Sequence, residues 1–228
     1  MRIREFHRDR LAGIRWLAVA SAIVALGSWV AGTPALADDK HEEDEVEEVE
    51  VTFPDGVAVG DVTSTSAVLW TRAAFTDEVE KLKVEVFTNP ELKGKKAFKQ
   101  KVRPSAEDDF TAKALASKLK PDTTYYFRWR HGHDNSDVGT FRTAPDPSAA
   151  ADVRFVYTGD TDSLQQLFDA NTMAVLNQAL SEDPDFWAYI GDVIYSDSSL
   201  RPAAGLTPAA TTLNEYRDTY RANRAVSA

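Results

Sequence analysis

The 228-residue chain contains no cysteine. That excludes a disulfide-stapled scaffold, a zinc ribbon and a thiol nucleophile. Histidine is scarce: His7, His41, His131 and His133 are the only four, so chemistry beyond residue 133 proceeds without imidazole. Apart from one stretch near the N-terminus, no apolar run is long enough to cross a bilayer. The net charge of −10 gives no overall basic footprint for nucleic acid. What is present, 43% hydrophobic and 27% charged residues, is the composition of a globular protein.

The charge is unevenly placed. Residues 1–37 carry a net +3, residues 38–50 (DDKHEEDEVEEVE) a net −8, and residues 51–228 the remaining −5. The head has leading arginines, an apolar stretch from Trp16 to Gly32, and small residues in Ala35-Leu36-Ala37. It reads as a cleaved export signal rather than a retained anchor, with Asp38 as the new N-terminus. Nine acids within 38–50 repel one another and bury nothing, which predicts a disordered acidic linker.

Residues 51–146 carry short strand-like runs separated by turn signals, the pattern of a β-sandwich. SAVLWTR (66–72) places Val68 and Trp70 on one face, and KVEVFT (83–88) does the same for Val84 and Val86. Ala97 to Val102 reads as a lysine-guarded edge strand. TYYFRWR (124–130) is the strongest strand, and VGTFRT (138–143) closes the unit. Leu119-Lys120-Pro121-Asp122-Thr123-Thr124-Tyr125 has the L-x-P-x-T-x-Y form. It resembles the tyrosine corner of fibronectin type III domains, with Trp70 as the core tryptophan. The stretch HGHDNSD (131–137) reads as a hairpin turn rather than a pair of metal ligands.

Near residue 150 the pattern changes. VRFVYT (153–158) is a strand ending in Gly159-Asp160-Thr161-Asp162. A helix follows, with Asn171 as its cap and Met173, Leu176, Ala179 and Leu180 on one face, and Asp183-Pro184 stops it. FWAYI (186–190) reads as a strand buried on both faces, ending in Gly191-Asp192 with Tyr195 three residues on. This βαβ order predicts parallel strands with Asp160 and Asp192 on neighbouring loops at one sheet edge. Two facing carboxylates repel, and a hard cation between them relieves that. Tyr195 would add a phenolate oxygen, and glycine before each aspartate allows close backbone approach. A last helix has a Thr212/Glu215 capping box and an apolar face of Leu213, Tyr216 and Tyr220. Its Arg217, Arg221 and Arg224 read as a solvated face.

Six stretches in order, FPDGVAVGDVTSTSAVLWTRA, YYFRW, VGTFRTAP, VRFVYTGDTD, DPDFWAYIGDVIYSD and LNEYRDTYRANR, resemble PhoD-type alkaline phosphatases/phosphodiesterases. The resemblance implies a fibronectin-like N-terminal domain (51–146) followed by the start of an α/β metallophosphatase domain (150–228). It implies iron and calcium as cofactors and a phosphoester substrate. By that resemblance Asp192 is a bridging carboxylate, Tyr195 a phenolate ligand of ferric iron, and Asp160 the first metal ligand. Asp162 stands where the wider superfamily has histidine in D-x-H. Later ligand motifs of the family are absent. The chain is therefore expected to be an inactive N-terminal fragment of an exported phosphatase, monomeric and without a stable membrane anchor. An exported fibronectin-like binding module without catalysis is the alternative.

Overall fold

The computed structural model describes residues 50–75, 81–167 and 174–225. The export head, nearly all of the acidic linker, Asn171 and Met173 lie outside these residues. Among the described residues, no helix is long and apolar enough to cross a membrane.

Alternating strands with one apolar face build two antiparallel sheets. The first short strands are β1 (Val51–Thr52), β2 (Val57–Gly60), β3 (Ser66–Arg72) and β4 (Ala74–Phe75). Then come β5 (Leu82–Phe87), β6 (Phe98–Val102), β7 (Thr111–Ser117), β8 (Thr124–His131), β9 (Asp134–Asn135) and β10 (Gly139–Arg142). One sheet runs β2-β3-β7; the other runs β10-β8-β5-β6, with β9 on β8; β1 pairs β4. The inward residues of both form one core, with Leu69, Val84, Val86, Phe127 and Trp129 at 2% exposure or less. Burial of such side chains contributes roughly 1.5–3 kcal/mol each.

The tyrosine corner is present: the buried Tyr125 hydroxyl accepts the Lys120 N–H at 2.9 Å. Gly132-His133 closes a two-residue hairpin between β8 and β9, as the turn reading has it. The lysine-bearing β6 is the sheet edge. The sandwich departs from the sequence pattern at two places. Strand β7 has no counterpart among the strand-like runs of the sequence, because its alternation lies on Ala112, Ala114 and Ala116, whose small side chains give little hydrophobic signal. Trp70 is not the core tryptophan. On β3 the inward residues are Ala67, Leu69 and Thr71, so Trp70 and Val68 share the outer face, and Trp129 is the fully buried indole.

Beyond the sandwich, β11 (Phe155–Thr158) and β12 (Phe186–Tyr189) pair in parallel, and helix α1 (Ala174–Leu180) lies between them in sequence. Helix α2 (Leu213–Ala225) follows two 3-10 turns, Ser163–Leu167 and Arg201–Ala204. The doubly buried strand expected at 186–190 is not found. Phe186 is 50% and Ile190 70% exposed, because among the described residues only β11 pairs with β12. A two-stranded sheet cannot cover both of its own faces. The described residues belong to one compact unit.

Candidate functional site

The parallel register Thr158↔Tyr189 aligns the carboxyl ends of β11 and β12. The two Gly-Asp turns leave from that shared edge and are tied together by the Thr161 N–H donating to the Asp192 carbonyl at 2.9 Å. Asp160 and Asp192 both adopt left-handed backbone (φ 54° and 48°), which aspartate tolerates better than most residues. Gly191 lies at φ 144°, a conformation that only glycine adopts readily. Gly159 differs: an added Cβ would make only ordinary contacts, 3.5 Å to Ile190 and 3.6 Å to the Gly191 carbonyl. Close approach therefore accounts for neither glycine.

Three of the four candidate oxygen donors come together. The Tyr195 hydroxyl donates to Asp160 Oδ1 at 2.7 Å. That hydrogen bond, with partial desolvation and the negative charges of Asp160 and Asp192, pushes the Tyr195 phenol up to about 12. Asp162 lines the same cleft but is committed to other partners. Its Oδ2 accepts Ser198 Oγ–H at 2.7 Å and its Oδ1 accepts the Leu164 N–H at 3.2 Å. Asp160, Asp162, Tyr195 and Ser198 line one cleft of about 480 Å³, with Gln165 and Leu176 at its wall. Among the described residues, no three His, Cys, Asp or Glu side chains gather as a metal-holding group.

Comparison with known proteins bears on this architecture. Residues 38–145 match the family described as PhoD-like phosphatase, N-terminal domain. This stretch is a PhoD-like N-terminal domain. Alkaline phosphatase D of Bacillus subtilis (strain 168) is 30% identical over 157 residues, 63% of this chain and 25% of that protein. A solved structure of PhoD superposes with a TM-score of 0.67 at 24% identity, covering 77% of this chain and 35% of that one; this likeness speaks to the fold. The chain thus spans about a quarter to a third of the length of these relatives.

The PhoD-like domain bears α2 on the outer face of its three-stranded sheet. Arg224 stacks over Trp70 at 4.7 Å, which explains an aromatic on an outward position. Arg221 pairs with Asp109 at 2.6 Å and with Asp218, and these carboxylates hold its guanidinium above its usual range. Asp109 also takes Arg72 at 3.2 Å, and Arg217 donates to the Glu107 carbonyl. The arginines are therefore docking contacts rather than a solvated face. The apolar side instead faces outward, with Leu213 at 66% exposure. The capping box forms as expected: Glu215 accepts the Thr212 N–H at 2.8 Å and donates its own N–H to Thr212 Oγ1 at 3.3 Å.

From the same last turn of α2, Asn223 reaches the cleft loop. Asn223 Oδ1 accepts the Ser163 N–H at 3.0 Å, and the Ser163 hydroxyl donates to the Asn223 carbonyl at 2.6 Å. Buried Arg201 braces the same region, donating to the Thr207 carbonyl at 2.8 Å and to Thr219 Oγ1. Neither Asn223, Ser198 nor Arg201 carries a sequence signal, since each acts through a partner fixed only by the folded chain. The apolar Leu213 pattern, read alone, pointed to the wrong face.

Proposed function

We propose that this chain serves an exported, metal-dependent phosphoester hydrolase of the PhoD type. In this reading residues 1–37 are the export signal, 38–50 an acidic spacer, and 150–228 the first βαβ segment of the hydrolase domain. The family match starting at residue 38, directly after Ala37, supports the processing site. The observation that carries the reading is the Tyr195–Asp160 bond at 2.7 Å, at a sheet edge shared with Asp192. Two carboxylates and a phenol form an all-oxygen donor set, which suits a hard cation such as calcium or ferric iron. Asp160, Asp192 and Tyr195 would hold the ion; Asp162, committed to Ser198, would orient the loop beneath it. Such an ion supplies Lewis acidity toward a phosphoryl oxygen and toward water.

The residues' own part is to present these oxygens at the shared sheet edge, Asp160 and Tyr195 lining the cleft, and to keep the Tyr195 proton on its bond to Asp160 until it is displaced. Three donors without imidazole support do not complete a hydrolytic centre, so we assign the monomeric chain no turnover by itself. The test is ferric and calcium titration of the purified chain, read by bound-metal analysis and by visible absorption from a tyrosinate–ferric pair. A chromogenic phosphomonoester and a phosphodiester assay run beside it. Stoichiometric uptake lost in Asp160→Asn and Tyr195→Phe, without turnover, is expected. Absent uptake would favour a fibronectin-like binding module; turnover abolished by Asp192→Ala would overturn the assigned inactivity.

A further inference from the structure

The outer face of the four-stranded sheet carries a charge opposite to that of the chain. Outward positions alternate along each strand. On β6 they include Lys99 and Lys101, on β5 Lys83 and Glu85, and on β8 Arg128 and Arg130, with the buried Phe87 and half-buried Tyr126 further along β5 and β8. The register lines them up across the strands. Lys101, Lys83 and Arg130 form one row, and Lys99, Glu85 and Arg128 the next. Lys96, just before β6, joins them through Glu85 at 3.0 Å. Six cations thus cluster around one carboxylate at this part of the face, while residues 51–228 as a whole carry −5.

Glu85 is the centre of this arrangement. It is only 1% exposed, and Lys83 lies 2.7 Å away, Arg128 3.8 Å and Arg130 3.9 Å. Burial works against its charged form, but Lys83 and Lys96 outweigh that and hold its carboxyl below the usual range. One carboxylate neutralises about one of six charges. Like charges directly opposite on adjacent strands, as Lys101, Lys83 and Arg130 are, destabilise a sheet. Guarding an open edge with lysine explains Lys99 and Lys101 on β6. It does not explain Lys83, Arg128 and Arg130, which lie on the interior strands β5 and β8.

We infer that this sheet face is a docking surface for a linear polyanion bearing phosphate groups. Strand spacing of about 4.8 Å sets cations at intervals that suit charges strung along an extended chain. Arginine offers forked donors to phosphate oxygens. A bilayer is the poorer occupant, because no large apolar side chain of β5, β6 or β8 is exposed to enter it. The inference stands apart from the hydrolase reading, since it uses no residue of the cleft.

The experiment uses the full chain and inorganic polyphosphate, with affinity measured against salt concentration. Counterion release makes the logarithm of affinity fall linearly with the logarithm of salt. The variant Lys99→Gln/Lys101→Gln alters two exposed edge residues outside the ion pairs that Glu85 makes with Lys83, Lys96, Arg128 and Arg130, and leaves the core intact. It is expected to weaken binding about tenfold and to lower the salt slope by about one to two. Lys113→Gln/Lys120→Gln, two exposed lysines off this face, is the control and retains affinity. Any contribution of the arginines in 1–37 appears equally in all three proteins. Equal affinity in both variants, no polyphosphate binding at low salt, or binding confined to phosphatidylglycerol vesicles would each overturn the inference.

Discussion

Gly139 on β10 faces Phe127 on β8 in register, and it is the glycine where the sandwich has least room. A Cβ added there would lie 2.3 Å from Phe127 Cε1, 2.5 Å from Cζ and 2.9 Å from Val57 Cγ2. Carbon atoms pack at about 3.5–4.0 Å, so each contact is short by roughly 1 Å. The Phe127 ring has no free volume to retreat into. It is 1% exposed and rests edge-on against Phe141 at 6.0 Å, while Val57 comes from the opposite sheet. Overpacking of this kind costs about 1–3 kcal/mol, and three simultaneous contacts place Gly139→Ala near the top of that span. The lost flexibility of the unfolded chain returns only about 0.4–1 kcal/mol. Net destabilisation should be about 2 kcal/mol. For a chain of this size that is a fall in Tm of about 4–8 °C. Urea or thermal unfolding of the purified chain measures it. Phe127→Leu gives the ring's space back, so the double variant should lose less than the sum of the singles, by about 1 kcal/mol or more. A Tm unchanged or raised in Gly139→Ala, or strictly additive singles, would refute the packing argument.

Three further outcomes follow from the contacts above. Tyr125→Phe removes the acceptor of the Lys120 N–H and should cost about 1–2 kcal/mol in urea unfolding with an unchanged m-value. Glu215 is held down to about 2, chiefly by the N–H groups of Thr211 and Thr212. Its contribution to α2 is therefore complete above the ordinary glutamate range and lost as pH falls through about 2; helical circular dichroism should follow that window, and Glu215→Gln should flatten it. Asp109→Ala removes the carboxylate shared by Arg72 and Arg221, so trypsin should cut within 213–225 faster while the sandwich stays resistant.

How legible this was in the sequence depended on side-chain size. Tyr125, Phe127 and Trp129 announce β8, and Val84 and Val86 announce β5, because large alternating residues mark a core face. Strand β7 has the same alternation written in alanine, where burial leaves almost no trace. Trp70 is as hydrophobic as Trp129, but periodicity gives only the pairing of faces, not which face is inward. The meeting of Asp160 with Tyr195 was foreseeable, since parallel strands must deliver their carboxyl ends to one edge. The turning of Asp162 toward Ser198 was not, because that partner lies 36 residues away in a loop without pattern. The open flanks of β11 and β12 likewise depend on neighbours, which residue type alone does not count.

The docked helix α2 makes the sandwich more than a neighbour of the cleft. The last turn of the helix is seated on Trp70 and Asp109 through Arg224 and Arg221, and Asn223 of the same turn grips Ser163 next to Asp162. That one turn therefore acts as a clasp that pins the cleft loop to the outer face of the sheet. Damage to an outward sheet residue such as Trp70 would open that clasp and loosen a loop more than ninety positions downstream in the chain.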